Sequence, residues 1–130
     1  VNGRLFTQRI ELQELYRSFT ILPVDDNDTL VAVVDDEANQ RHTVMGLHLE
    51  YFDTFNCAWR QGVQGSNPVV SRVYGQRYVI ISCLQSESIH LWDLQQRAIV
   101  HEYKKKSGDW CECALVGQDH AYLAIAYHRT

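Results

Sequence analysis

From Val69 to Tyr127 a turn signal interrupts the chain about every ten residues, and this spacing limits the fold more than anything else in the sequence. Val69 to Tyr74, Arg77 to Cys83, Ser88 to Leu94 and Ala98 to Tyr103 are short runs rich in β-branched and aromatic residues. They are separated by Gly75-Gln76, Gln85-Ser86-Glu87 and Gln95-Gln96-Arg97. Trp110 to Val116 and Ala121 to Tyr127 follow, on either side of Gly117-Gln118-Asp119-His120. A parallel crossover needs about a dozen residues, so strands this closely spaced belong to antiparallel sheet. The same pattern extends backwards through Thr29 to Val34, His42 to Leu49 and Thr54 to Trp59, and the loop Gly62 to Pro68 divides the two halves.

Residues 5–19 read differently. Leu12, Leu15, Tyr16 and Phe19 repeat at i, i+3, i+4 and i+7, with Leu5 a heptad earlier, which predicts an amphipathic helix that Pro23 brings to an end. The expected organisation is a helical segment over 1–23 and a β segment over 24–130 that belongs to a larger domain. The helix stripe serves as a lid on the sheet or as a docking helix.

The chain has 130 residues, 45% of them hydrophobic, and a formal charge of -4, which suits one domain with a real core. No apolar run approaches the roughly 18 residues of a membrane span. The acidic balance disfavours a nucleic-acid surface. Cys57, Cys83, Cys111 and Cys113 are too few for a disulfide scaffold and read as reduced residues of an intracellular protein, cytoplasmic or nuclear. Asn27-Asp28-Thr29 is a formal glycosylation triplet in a turn and points the other way.

Residues 77–103, RYVIISCLQSESIHLWDLQQRAIVHEY, resemble a WD40 β-propeller repeat. Ser82 takes the serine place at the end of the second strand, Gln85-Ser86-Glu87 the tight turn, and Trp92-Asp93 the dipeptide that closes the third strand. Second-strand starts near Thr29, Arg77 and Ala121 lie about 48 and 44 residues apart, against roughly 40–45 in such repeats. The expectation is about two and a half propeller-like blades preceded by one helix; the alternative is a small α+β antiparallel sheet with a helix cap. Ser86 replaces the family's tight-turn aspartate, no Gly-His pair precedes Val69, and the first blade has no Trp-Asp. The family's network of histidine, serine, aspartate and tryptophan is therefore mostly missing.

Residues that carry chemistry elsewhere do not assemble into a reactive pattern. Cys111 and Cys113, with His120 and His128, are the nearest to a metal cluster, but a one-residue gap on a strand suits paired core thiols better than zinc. Ser82, His90 and Asp93 contain the types of a triad without a nucleophile elbow. The acids Asp25, Asp26, Asp28, Asp35, Asp36 and Glu37 lack the calcium-loop glycine and fall at two turns. Gly62 to Asn67 matches neither a phosphate loop nor a dinucleotide loop. No catalytic residue, metal or cofactor is expected.

The resemblance implies a non-catalytic protein-interaction scaffold, a subunit of a larger complex, with Ser82, Trp92 and Asp93 structural. Its partners would be another protein, further blades of the same protein, or copies of itself. Contact candidates by residue type and loop position are Arg60, Arg72, Arg77, Lys104, Lys105, Lys106 and Trp110. Lys104 to Lys106 contain every lysine of the chain. The competing reading is a nucleic-acid-binding module in which these lysines meet phosphates and Trp110 or Tyr103 stacks on a base. A small hydrolase is the weakest reading.

Overall fold

The structure, a computed structural model, describes residues 18–25, 28–50, 54–84, 86–106 and 110–127. These residues are mainly β, in three antiparallel sheets that do not close into a ring. The first sheet is a meander of β1 (Ser18–Pro23), β2 (Thr29–Asp36), β3 (Arg41–Glu50) and β4 (Thr54–Gln64). The second repeats it with β5 (Pro68–Val70), β6 (Tyr78–Cys83), β7 (Ser88–Asp93) and β8 (Ala98–Lys104). The third pairs β9 (Cys111–Val116) with β10 (Tyr122–Tyr127). The second strands start at Thr29, Tyr78 and Tyr122, close to the periodicity read from the sequence.

The predicted helix is overturned where it can be seen. Ser18 and Phe19 belong to β1, which pairs with β2 from Ser18↔Asp35 to Pro23↔Leu30. Leu5, Leu12, Leu15 and Tyr16 lie outside the described residues. The physical reason is that Ser-Phe-Thr-Ile-Leu-Pro also alternates with period two. Opposite Val33 and Val31, Thr20 and Leu22 share the inward face, and the ladder to β2 satisfies a row of backbone groups that a final helical turn would leave open. Phe19 is consequently outward and 59% exposed, rather than part of a buried stripe.

Alternation along each strand gives every sheet two apolar faces, and the sheets stack through them. Val31, Val33 and Val44 of the first sheet pack against Val79, Ile81, Cys83 and Trp92 of the second. The opposite face of the second sheet, Ile80 and Ile89, packs on Cys111 and Leu115 of the third. Trp92 is buried between the first two sheets and is stacked by Trp59, with ring centroids 6.5 Å apart. Gly46, opposite Trp59 on β3, makes that contact possible, because a Cβ there would overlap the Trp59 indole.

Polar side chains latch the turns. Asp25 Oδ1 accepts from the backbone N–H groups of Asp28 and Thr29, and Asp36 accepts from Asn39, so both acids build their own turns. Asp93, at the end of β7, accepts from the N–H groups of Gln95 and Gln96 through Oδ1 and from the Arg77 guanidinium through Oδ2. The aspartate of Trp92-Asp93 thus caps backbone groups just beyond the strand end.

Candidate functional site

β6 and β8 end, and β5 and β9 begin, at one end of the second and third sheets, which gathers three loops there. Hydrogen bonds tie them together. Leu84 N–H donates to the Asn67 carbonyl, Lys105 N–H to the Glu87 carbonyl, and Lys106 N–H to the Tyr127 hydroxyl. Between them is a largely apolar cleft of about 310 Å³ formed by Asn67, Pro68, Val69, Leu84 and Trp110. Leu84 and Trp110 are each 39% exposed, so two large apolar side chains face solvent on a hydrogen-bonded floor.

Beneath this end lies a buried polar cluster that links the first two sheets. Asp35 accepts the Asn67 N–H at 3.0 Å. The His42 Nδ1–H donates to the Gly65 carbonyl at 2.7 Å, and Cys83 Sγ lies 3.6 Å from the same nitrogen. His42 Nε2 has no hydrogen-bond partner among the described residues, which suits a neutral imidazole. Burial holds His42 below the ordinary histidine range, opposed by its bond to Gly65. Burial likewise pushes the Cys83 thiol up to about 11, so it is a packed thiol and not a poised nucleophile.

A histidine kept neutral in the fold binds fewer protons than it does in the unfolded chain, so acid favours unfolding. His90 of β7, also lowered by burial, acts in the same direction; Asp35 opposes it at His42 and Glu102 at His90. Stability is expected to fall as pH drops from 7 through about 6.5 towards 5. Urea midpoints across this range test it, and the His42→Phe variant should show a flatter profile than the parent chain.

The sequence candidates are not brought together. Trp110 lines the cleft and Lys104 to Lys106 adjoin it. Arg77 and Arg72 belong to the far end of the second sheet, the length of a six-residue strand away. Arg77 is engaged with Asp93 at 2.8 Å, and the Arg72 guanidinium lies 4.6 Å above the Tyr74 ring. Arg60 is on β4 and borders a separate polar groove with Asp36 and Arg41.

Two candidates need correction. Arg77 is the partner of a buried carboxylate and not an uncommitted loop cation. Lys105 is not a solvated loop residue: it is 7% exposed and its ammonium donates to the Cys83 carbonyl at 2.7 Å. Lys104 remains outside, paired with Glu102 at 3.0 Å. Lys105→Ala is therefore expected to cost about 1–3 kcal/mol in chemical denaturation, because it removes a charged donor from the Cys83 carbonyl, which still accepts the Ser86 N–H at 3.2 Å. Lys104→Ala should stay within about 0.5 kcal/mol. Equal effects from the two would contradict this division.

Ser82, Trp92 and Asp93 are all buried. The register places Ser82 opposite Ile89 and Trp92 opposite Val79, on different faces of the sheet. Ser82 Oγ donates across to the Cys111 carbonyl at 3.3 Å, and Trp92 Nε1 has no hydrogen-bond partner among the described residues. His90 opposes Ile81, on the face away from Ser82, and Asp93 is held by Arg77, so the three residue types of a triad do not converge. Cys111 and Cys113 share one face with their sulfurs 3.9 Å apart, and burial together with the Cys111 neighbour pushes the Cys113 thiol up to about 12. His120 packs edge-on against Tyr74, and His128 lies outside the described residues. No group of three or more metal-ligating side chains occurs among the described residues. Among them, too, no helix is long and apolar enough to cross a membrane.

Sequence reasoning missed Asn67, Pro68, Val69 and Leu84 as parts of a surface. The available signal was Leu84 itself, an apolar residue placed in a turn. Comparisons with protein-family models, curated proteins and solved structures found no match for this chain.

Proposed function

We propose that the chain is a non-catalytic protein-interaction scaffold built of WD40-like propeller blades, and that it works as a subunit of a larger assembly. The supporting observation is the repeated meander. Two four-stranded sheets and a two-stranded one, counted among the described residues, stack face to face, with Trp92-Asp93 at the end of the third strand of the second sheet. Stacked blades expose loops at both ends on a rigid frame, which suits recognition of another protein. The cleft of Leu84, Pro68, Val69 and Trp110 has the composition of a contact centre, a large aromatic beside aliphatic residues. The four cysteines are all unpaired, which suits the reducing interior of a cell.

The lysine run supports a nucleic-acid reading less than its sequence suggests, since Lys105 is buried and Lys104 pairs with Glu102. The test is capture of partners by the chain at physiological salt, followed by affinity measurement with the recovered protein. Trp110→Ala is expected to weaken binding by about tenfold or more, the effect of losing a central aromatic. Recovery of nucleic acid in place of protein, with affinity falling steeply as salt rises, would overturn the reading.

A further inference from the structure

The loop that joins the first two sheets is fastened to the first sheet at three points. Gly65 N–H donates to the Gln40 carbonyl at 2.8 Å, the Gly65 carbonyl accepts from His42 at 2.7 Å, and Asn67 N–H donates to Asp35 at 3.0 Å. The loop is closely seated: Gly65 has φ 112°, a Cβ there would lie 3.0 Å from Cys83 Sγ, and Asn67 is held at φ 54°. Asn67 also accepts the Leu84 N–H through its own carbonyl, and both residues belong to the cleft with Pro68, Val69 and Trp110. Two side chains of the first sheet, His42 and Asp35, thus position one wall of the cleft.

The His42 ring is fully buried, and its Nε2 has no hydrogen-bond partner among the described residues. A proton added there makes a buried charged donor without an acceptor, a state the ring can leave only by moving. The destination is close. Asp35 is the direct partner of His42 across β2 and β3, so the two Cβ atoms are about 5 Å apart on one face. An imidazolium reaches that carboxylate by turning from the Gly65 carbonyl, and it then competes with Asn67 for it. The other titratable groups around His42 are Cys83 on β6, His90 on β7 and Lys105 just beyond β8. Cys83 is a neutral thiol and the other two carry positive charge when protonated, so of these groups only Asp35 attracts the imidazolium.

We propose that His42 is a proton-sensitive latch on residues 65–67: protonation exchanges Gly65 for Asp35 as its partner, slackens Asn67, and weakens binding of a protein at the cleft of Leu84, Pro68, Val69 and Trp110. The proposal rests on the scaffold reading and adds regulation to its contact site. The transition falls as pH drops from about 6.5 towards 5, where histidine titrates.

Nuclear magnetic resonance of the full chain tests the latch without a ligand. Between pH 7 and 5 the Gly65 and Asn67 amides should lose protection from exchange at least tenfold, after correction for the intrinsic pH dependence of exchange. Amides of β6 and β7 should keep theirs. The Trp110 indole N–H should shift with the same midpoint as the His42 imidazole. His42→Gln keeps an N–H donor for Gly65 but does not titrate, so its loop should stay protected at pH 5. A protein captured by the chain at pH 7 should bind at least tenfold more weakly at pH 5.5, and His42→Gln should remove most of that difference. If the Gln variant fails to fold, the coincidence of the two midpoints in the parent chain decides. An unchanged loop, unmatched midpoints, or loss of protection in all strands together would overturn the latch. Equal pH dependence of binding in parent and variant would overturn the regulation and leave the scaffold reading standing. Capture of no protein at pH 7 removes the scaffold reading and the regulation with it.

Discussion

Trp92→Ala is expected to cost about 3–5 kcal/mol in chemical denaturation, the range for deleting a fully buried aromatic. Trp92 is 1% exposed and packs among side chains from both of the first two sheets, with Trp59 stacked on it. Truncation opens a cavity at the centre of the inter-sheet contact, and neither sheet can collapse into it without shifting the other. Domains of this size are commonly stable by only about 5–15 kcal/mol, so the variant should lie close to its unfolding transition at room temperature. Trp92→Phe keeps most of the volume and should lose clearly less. A loss below about 1 kcal/mol for the alanine variant would mean that the two sheets do not meet at Trp92.

Asp93→Ala is the second large effect, about 2–3 kcal/mol, because it removes a charged acceptor from two backbone N–H groups and a guanidinium at once. Asn at this position can still accept from Gln95 and Gln96 and should recover part of the loss. The pH dependence separates the two contributions. Arg77, first among the causes, holds the Asp93 carboxyl below the usual carboxylate range. A group lowered in the folded state stabilises it above the unfolded pKa of about 3.9 and loses that contribution as pH falls through the folded value. Acid unfolding midpoints should therefore show a loss below about pH 4 that is smaller in Asp93→Asn than in the parent chain. Equal acid sensitivity in both would show that the Arg77 pair does not stabilise the fold.

The second sheet was the most legible part of the molecule. Its strands were expected at Arg77 to Cys83, Ser88 to Leu94 and Ala98 to Tyr103, and they occur as Tyr78–Cys83, Ser88–Asp93 and Ala98–Lys104. Turn residues and β-branched runs are local signals, and here they agree with the long-range pairing. Ser18–Pro23 was misread because Phe19 satisfies two periods at once, the last position of a helical stripe and the outward position of a strand. The competing ladder to β2 pairs Phe19 with Val34, far outside the window of a helical turn. The cleft was only half legible: Trp110 stood out, while Leu84, Pro68 and Val69 join it through loops from different strand pairs.

By itself the sequence determined the class of the protein: a mainly β chain of short antiparallel strands. Composition and alternation are properties of neighbouring residues, so they survive in one dimension. Tertiary structure decided which side chains meet. It buried Lys105 against Cys83 while leaving Lys104 outside, tied Arg77 to Asp93, and turned Ser82 towards Cys111 and not towards Trp92. Each of these depends on register and on the stacking of one sheet over the next, and a shift of one residue in register would reverse the face of every side chain on the strand.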